Sequence, residues 1–134
     1  MQLHQQLDKL SRKLRQIEQK DTPQQLSAAK LSVLRMVHQM NPVTLKDIAS
    51  QQQVALPTVS KIVDDLQKRA LVIRAVSKED ARQRWIVPTQ KGIKALKQAE
   101  QDVAEFWQKK LKMLTSNQQQ QLSRSLGHLL DSLK

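Results

Sequence analysis

A chain of 134 residues is long enough for one domain with a sizeable core, or for two small lobes that share one. It carries 23 Lys and Arg against 12 Asp and Glu, a formal net charge of +11, which points to a polyanionic partner, nucleic acid first and an anionic membrane surface as its rival. The absence of cysteine excludes disulfides, thiolate metal sites and a thiol redox switch.

No apolar run approaches the roughly 20 residues of a membrane-spanning helix, and the N-terminus lacks the apolar core of a secretory signal. A cytoplasmic protein with no membrane partner is therefore expected. Two glycines and four prolines among many Gln, Leu, Lys and Ala predict a mainly helical chain.

In chain order, Leu3, Leu7, Leu10, Leu14 and Ile17 recur every three or four residues and keep one narrow apolar stripe along a first helix. Two readings stand for it: a helix packed on its own core, or a seam between two copies. Asp21-Thr22-Pro23 ends this helix. A second runs from about Ser27 to Gln39, apolar over a wide arc through Leu31, Val33, Leu34, Met36 and Val37. Met36 and Met40 fit core packing, with cavity lining as the alternative.

Asn41-Pro42 breaks the chain. A short third helix follows, with Thr44 as its cap, Asp47 three residues on, and Val43 placed to pack on Ile48. It ends near Gln52, and the turn Gln51–Ala55 contains no glycine. The fourth helix opens with Pro57, whose missing N–H costs nothing at a first helical position. Val59, Ile62, Val63 and Leu66 form its inward face. Pro57, Thr58, Ser60 and Lys61 cluster in its first turn and a half, the part of a recognition helix that reaches base edges and flanking phosphates. Asp64 and Asp65 read as a solvated face, because carboxylates are repelled by phosphates.

Leu71–Val76 and Trp85–Val87 read as paired strands with a charged tip between them, a wing of two or three strands. Arg82 and Arg84 share a face if extended, and an arginine at such a tip can enter a narrow minor groove. Asp80 would hold a neighbouring arginine in place. Solvation alone also explains a charged tip. A long helix then runs from Thr89 to about Met113, and Ser116 caps a last helix with Leu122, Leu126, Leu129, Leu130 and Leu133 on a broad face.

The charge is dispersed. Residues 41–92 hold nine basic and five acidic side chains, residues 1–40 seven and three, and residues 93–134 seven and four. Attraction to phosphate is then a property of the whole chain, and sequence reading must rest on a few placed side chains.

Leu71-Val72-x-Arg74, Asp80-x-Arg82 and Thr89-x-x-Gly92 fall at spacings that resemble those of the MarR family of winged helix–turn–helix regulators, and Thr58–Leu66 looks like that family's recognition helix. The resemblance covers nearly the whole chain. It departs from the usual pattern at Ala70, where glycine is usual and where a positive φ would reshape the turn; at Pro88, which should end the second wing strand or put it at an edge; and at Ala81, which leaves the wing one cation short unless Arg84 compensates.

The resemblance implies a winged helix–turn–helix lobe over residues 41–92 and a dimerisation lobe built from both chain ends, 1–40 and 93–134. The DNA-contacting set is then Pro57, Thr58, Ser60, Lys61, Arg74, Lys78, Arg82 and Arg84, with Asp80 orienting the wing. Leu3, Leu7, Leu10, Leu14, Leu122, Leu126, Leu129, Leu130 and Leu133 fall in the dimer contacts. It further implies a homodimer that represses from a pseudo-palindromic double-stranded DNA operator and is often released by a small aromatic or phenolic effector.

The competing reading is a winged-helix module for non-specific architectural DNA binding or protein interaction. An enzyme is not expected, since no Gly-rich phosphate loop is present and no His lies beside a nucleophile or a carboxylate pair. No cofactor or metal is expected either, because His4, His38 and His128 are scattered.

Overall fold

Most of the helices begin where the sequence supplies a cap. The computed structural model describes residues 1–18, 21–22, 25–80 and 82–134. Pro23, expected at the end of the first helix, and Ala81 lie outside them. The order is α1 (Leu3–Glu18), α2 (Ala28–Gln39), α3 (Leu45–Gln52), α4 (Leu56–Lys68), β1 (Val72–Val76), β2 (Arg84–Pro88), α5 (Gln90–Leu111) and α6 (Ser116–Ser132).

Ser27 caps α2 by accepting the Lys30 N–H. Thr44 and Asp47 form a reciprocal capping box at α3, each side chain accepting the other's backbone N–H at 3.2 Å. α6 is capped by Thr115, one residue before the expected Ser116, because Gln118 stands three residues on and completes a second box.

The wing is a two-stranded antiparallel sheet in the register Val72↔Pro88, Arg74↔Ile86, Val76↔Arg84. A third line of pairing is a single bridge, in which the Ile86 N–H donates to Val43 O at 2.7 Å. Pro88 is the last residue of β2, where its missing donor is harmless.

The chain divides into two compact units, Met1–Lys97 and Gln98–Lys134. The core belongs to the first. Val33, Leu34 and Val37 of α2 meet Val43, Ile48 of α3, Val59, Val63 and Leu66 of α4, Leu71, Val72 and Ile86 of the wing, and Leu96 of α5. The sequence reading grouped α2 with the chain ends; its buried face lies in the core of the winged lobe. Met36 is half-buried against that core and Met40 is exposed. Neither α1 nor α6 buries a residue. Among the described residues no helix is long and apolar enough to cross a membrane.

The junction of α4, β1 and α5 explains the Thr89-x-x-Gly92 spacing. α4 ends in a Schellman turn: the Leu71 N–H donates to Leu66 O and the Ala70 N–H to Gln67 O, both at 2.9 Å. This geometry requires a left-handed residue, and Ala70 takes φ 61°. The turn is therefore kept rather than reshaped, at a cost of about 1–2 kcal/mol for a residue with a Cβ.

Thr89 holds the strained turn. Its hydroxyl donates to Ala70 O at 2.7 Å and accepts the Gly92 N–H at 3.0 Å, while its own N–H donates to Leu71 O at 3.1 Å. α5 thereby comes so close to β1 that a Cβ on Gly92 would lie 2.0 Å from the Leu71 carbonyl oxygen. Only glycine fits there, for reasons of space rather than backbone angle.

Two substitutions at this junction should act in opposite directions. Gly92→Ala should destabilise the lobe by about 3 kcal/mol, the upper end of overpacking costs, because the obstacle is backbone. Ala70→Gly should leave stability unchanged or raise it by up to about 1 kcal/mol, since relief of the positive φ outweighs the added unfolded-state entropy. Urea melts of the two variants check both signs.

Candidate nucleic-acid interface

The polar turn between α3 and α4 is made without glycine. Gln53 adopts φ 53°, ψ 44° and donates its N–H to the end of α3, and the Val54 N–H bonds Ala49 O at 3.0 Å. The turn sets α4 on the core through Val59, Val63 and Leu66, all fully buried. The other side of its first turns faces solvent: Pro57, Thr58 and Lys61 are exposed and Ser60 half-buried.

The residue before α4 is Ala55, which offers no capping side chain. Pro57 has no N–H and the Thr58 and Val59 N–H groups bond Ala55 O at 3.0 and 3.2 Å, so what the start of α4 offers is the positive end of its dipole, with Lys61 one turn on. An anion is favoured in such a place, and phosphate is the abundant one on DNA.

The wing tip is a folded loop. Ser77 is buried, and its hydroxyl accepts the N–H groups of Glu79 and Asp80 at 3.2 and 3.3 Å. Asp80 Oδ1 accepts the Arg82 N–H at 2.9 Å, and the Gln83 N–H bonds Asp80 O at 3.0 Å. Asp80 thus orders Arg82 through its backbone, where sequence reasoning placed a bond to the guanidinium. Lys78, Arg82 and Arg84 are exposed at this tip.

Arg74 stands apart from the other candidate contacts. Its guanidinium is paired with Asp64 at 2.7 Å and donates to Gln67, so the cation is committed to α4. This ion pair ties β1 to the exposed side of α4, and it gives Asp64 a partner that a solvated face would not need.

Sequence reasoning missed a second charge cluster. Asp21 Oδ2 lies 2.6 Å from Lys30 Nζ and 2.8 Å from Arg69 Nη2, and Asp65 Oδ2 lies 3.0 Å from Lys30 Nζ and 2.8 Å from Arg69 Nε. Arg69 Nη1 donates to Thr22 O at 3.0 Å, and the Ser27 N–H to Asp21 Oδ1 at 3.1 Å. The i,i+4 spacing of Asp65 and Arg69 was its one local signal. The bond from Lys30 is the main reason that the Asp21 carboxyl titrates below its ordinary range, and the bond from Asp21 the main reason that the Lys30 ammonium titrates above its own. Among the described residues no group of His, Asp and Glu side chains could hold a metal ion.

This arrangement, a short helix–turn–helix followed by a two-stranded wing and a long helix, defines a winged helix–turn–helix protein. Residues 26–83, from just before α2 through the wing tip, match the model of the MarR family. The chain is 27% identical over 109 residues to the HTH-type transcriptional repressor IacR of Pseudomonas putida; the match takes in 81% of this chain and spans 65% of that protein's length. Among solved structures, a mutant of MepR from Staphylococcus aureus is similar at 25% identity with a TM-score of 0.86 over the whole of both chains. A second MepR mutant, bound to an oligodeoxyribonucleotide, is 25% identical with a TM-score of 0.73, over 100% of this chain and 99% of that one.

The direction of the Asp21 shift sets a pH dependence. A carboxyl held below its unfolded value stabilises the fold above roughly pH 4, and that contribution is lost as pH falls through the folded-state value. Lys30, held above its ordinary value, keeps its contribution until pH rises past the ordinary lysine range, above roughly 10. Asp21→Asn should therefore lower the melting temperature at pH 7 by a few degrees, the effect of about 1 kcal/mol. The gap from wild type should close as the pH of the melt is lowered through 4 toward 2.

Proposed function

We propose that the chain is a sequence-specific DNA-binding transcriptional regulator. The observation that carries this reading is the uncapped, exposed N-terminus of α4, with Thr58 and Lys61 beside it, in the same lobe as a wing tip whose Arg82 backbone is held by Asp80. In this reading Pro57, Thr58, Ser60 and Lys61 enter the major groove, Lys78, Arg82 and Arg84 reach along the wing, and Arg74 braces the wing against α4 instead of touching DNA. The net charge of +11 supplies the attraction. The relatives support it: IacR is named a transcriptional repressor, and a MepR mutant is bound to an oligodeoxyribonucleotide.

The regulator acts as a repressor and as a homodimer on a pseudo-palindromic operator. Support for the dimer comes from α1 and α6, whose leucines are exposed apart from the half-buried Leu14; Leu3, Leu130 and Leu133 show 70%, 63% and 74% of their surface. Apolar rows of this kind on two amphipathic helices want a partner surface, and a second copy provides a self-complementary one. Release by a small aromatic or phenolic effector rests on the family resemblance alone.

Two experiments test this. In a competition titration with DNA selected from a random pool, Arg82→Ala should weaken binding by about 1–3 kcal/mol, and Lys61→Ala should make the salt dependence shallower. Equal affinity of the wild-type protein for selected and random DNA would replace this reading with the architectural one. In sedimentation, Leu126→Glu should shift a dimer toward monomer, and an unchanged dimer would remove α6 from the seam.

A further inference from the structure

We infer that the Asp21, Lys30, Asp65 and Arg69 cluster is a clasp through which α1 sets the position of the recognition helix, and with it the half-site spacing that two copies accept. This rests on the reading of the chain as a dimeric DNA-binding protein.

α1 buries none of its residues, and Leu14 is the half-buried leucine of its stripe. It connects to that lobe through the chain, and Asp21 comes three residues after its last residue, Glu18. Asp21 and Thr22 are held on the folded lobe by four polar contacts, from Lys30 Nζ, Arg69 Nη1, Arg69 Nη2 and the Ser27 N–H. Two of these come from Arg69, the C-terminal cap of α4, and Asp65 one turn back grips both cations again.

Asp21 and Thr22 are therefore fastened to one end of the helix whose other end carries Pro57 to Lys61. At about 1.5 Å per residue that helix is about 20 Å long and moves as a rod. A displacement passed to Arg69 carries α4 together with the core packed on its Val59, Val63 and Leu66.

The cluster is not what seats α4. Val59, Val63 and Leu66 are fully buried and do that already. The two carboxylates and two cations are mutually compensating and lie on the surface with 20–35% of each side chain accessible, so they are ordered by charge and not by core packing. Removing one member frees the connector while leaving the core intact. In a dimer paired through α1, a free connector lets each recognition helix find its half-site independently of the other.

The test uses the full chain. Wild-type protein selects paired half-sites from a random DNA pool, and one base pair is then inserted between them, which moves one half-site by about 3.4 Å and about a tenth of a turn. Wild type should lose about tenfold in affinity or more, the effect of a mismatched site. Asp21→Asn and Arg69→Gln should each cut that loss to about threefold or less, and the double variant should match the singles because the two changes break one coupled unit. Asp21→Glu should restore discrimination by keeping the charge.

Full discrimination in both single variants overturns the inference. So does an equal loss of affinity for selected, spaced and random DNA, which is what a merely structural role predicts. If one single variant fails to fold, the other carries the test. Should wild type select no paired half-sites at all, the dimeric DNA-binding reading falls and takes this inference with it.

Discussion

The approach of α5 to the carbonyl of Leu71 is the constraint on which the winged lobe depends. At that point the end of α4, the start of β1 and the start of α5 meet within the reach of one threonine side chain. Thr89 satisfies the Ala70 and Leu71 carbonyls and the Gly92 N–H, each of which would otherwise be an orphan at a helix end or a strand start. The absence of a side chain at Gly92 permits the contact, and the contact holds Ala70 in a conformation that its Cβ disfavours. The wing leaves the lobe from this junction, so the direction of β1 and β2 is decided here.

Charge is used in two ways. The net excess is spread over the whole chain and acts at a distance. The charges that face one another are arranged locally: Arg74 with Asp64 across β1 and α4, and Asp21 and Asp65 with Lys30 and Arg69 around the end of α4. Each pair is worth little in isolation at such exposure. Their value lies in geometry, because each joins another element to the rod formed by α4. The acidic residues of a helix proposed to read DNA are therefore used in bracing, and Lys61 is the charged residue of its first turn and a half.

The two ends of the chain follow a different principle. α1 and α6 have leucine rows at helical spacing and bury none of them in a single copy. Contiguous exposed apolar surface of this kind is a feature of interaction sites. The winged lobe completes its own core, whereas α1 and α6 leave most of their leucines exposed.

By itself the sequence determined the helices, their caps at Thr44 and Asp47, the wing with its ordered tip, and the Thr89-x-x-Gly92 spacing, because each is a local pattern of periodicity, turn chemistry or hydrogen-bonding residues a few positions apart. It also determined the polyanion-seeking charge. It did not reveal that α2 belongs to the winged core, since a wide apolar arc looks the same whichever neighbour covers it. Nor did it reveal that Arg74 is committed to Asp64 or that Asp21 meets Arg69, 48 residues away. An ion pair between distant residues leaves no periodic trace in the chain, so which charges are matched to one another was decided only when the tertiary fold brought those residues together.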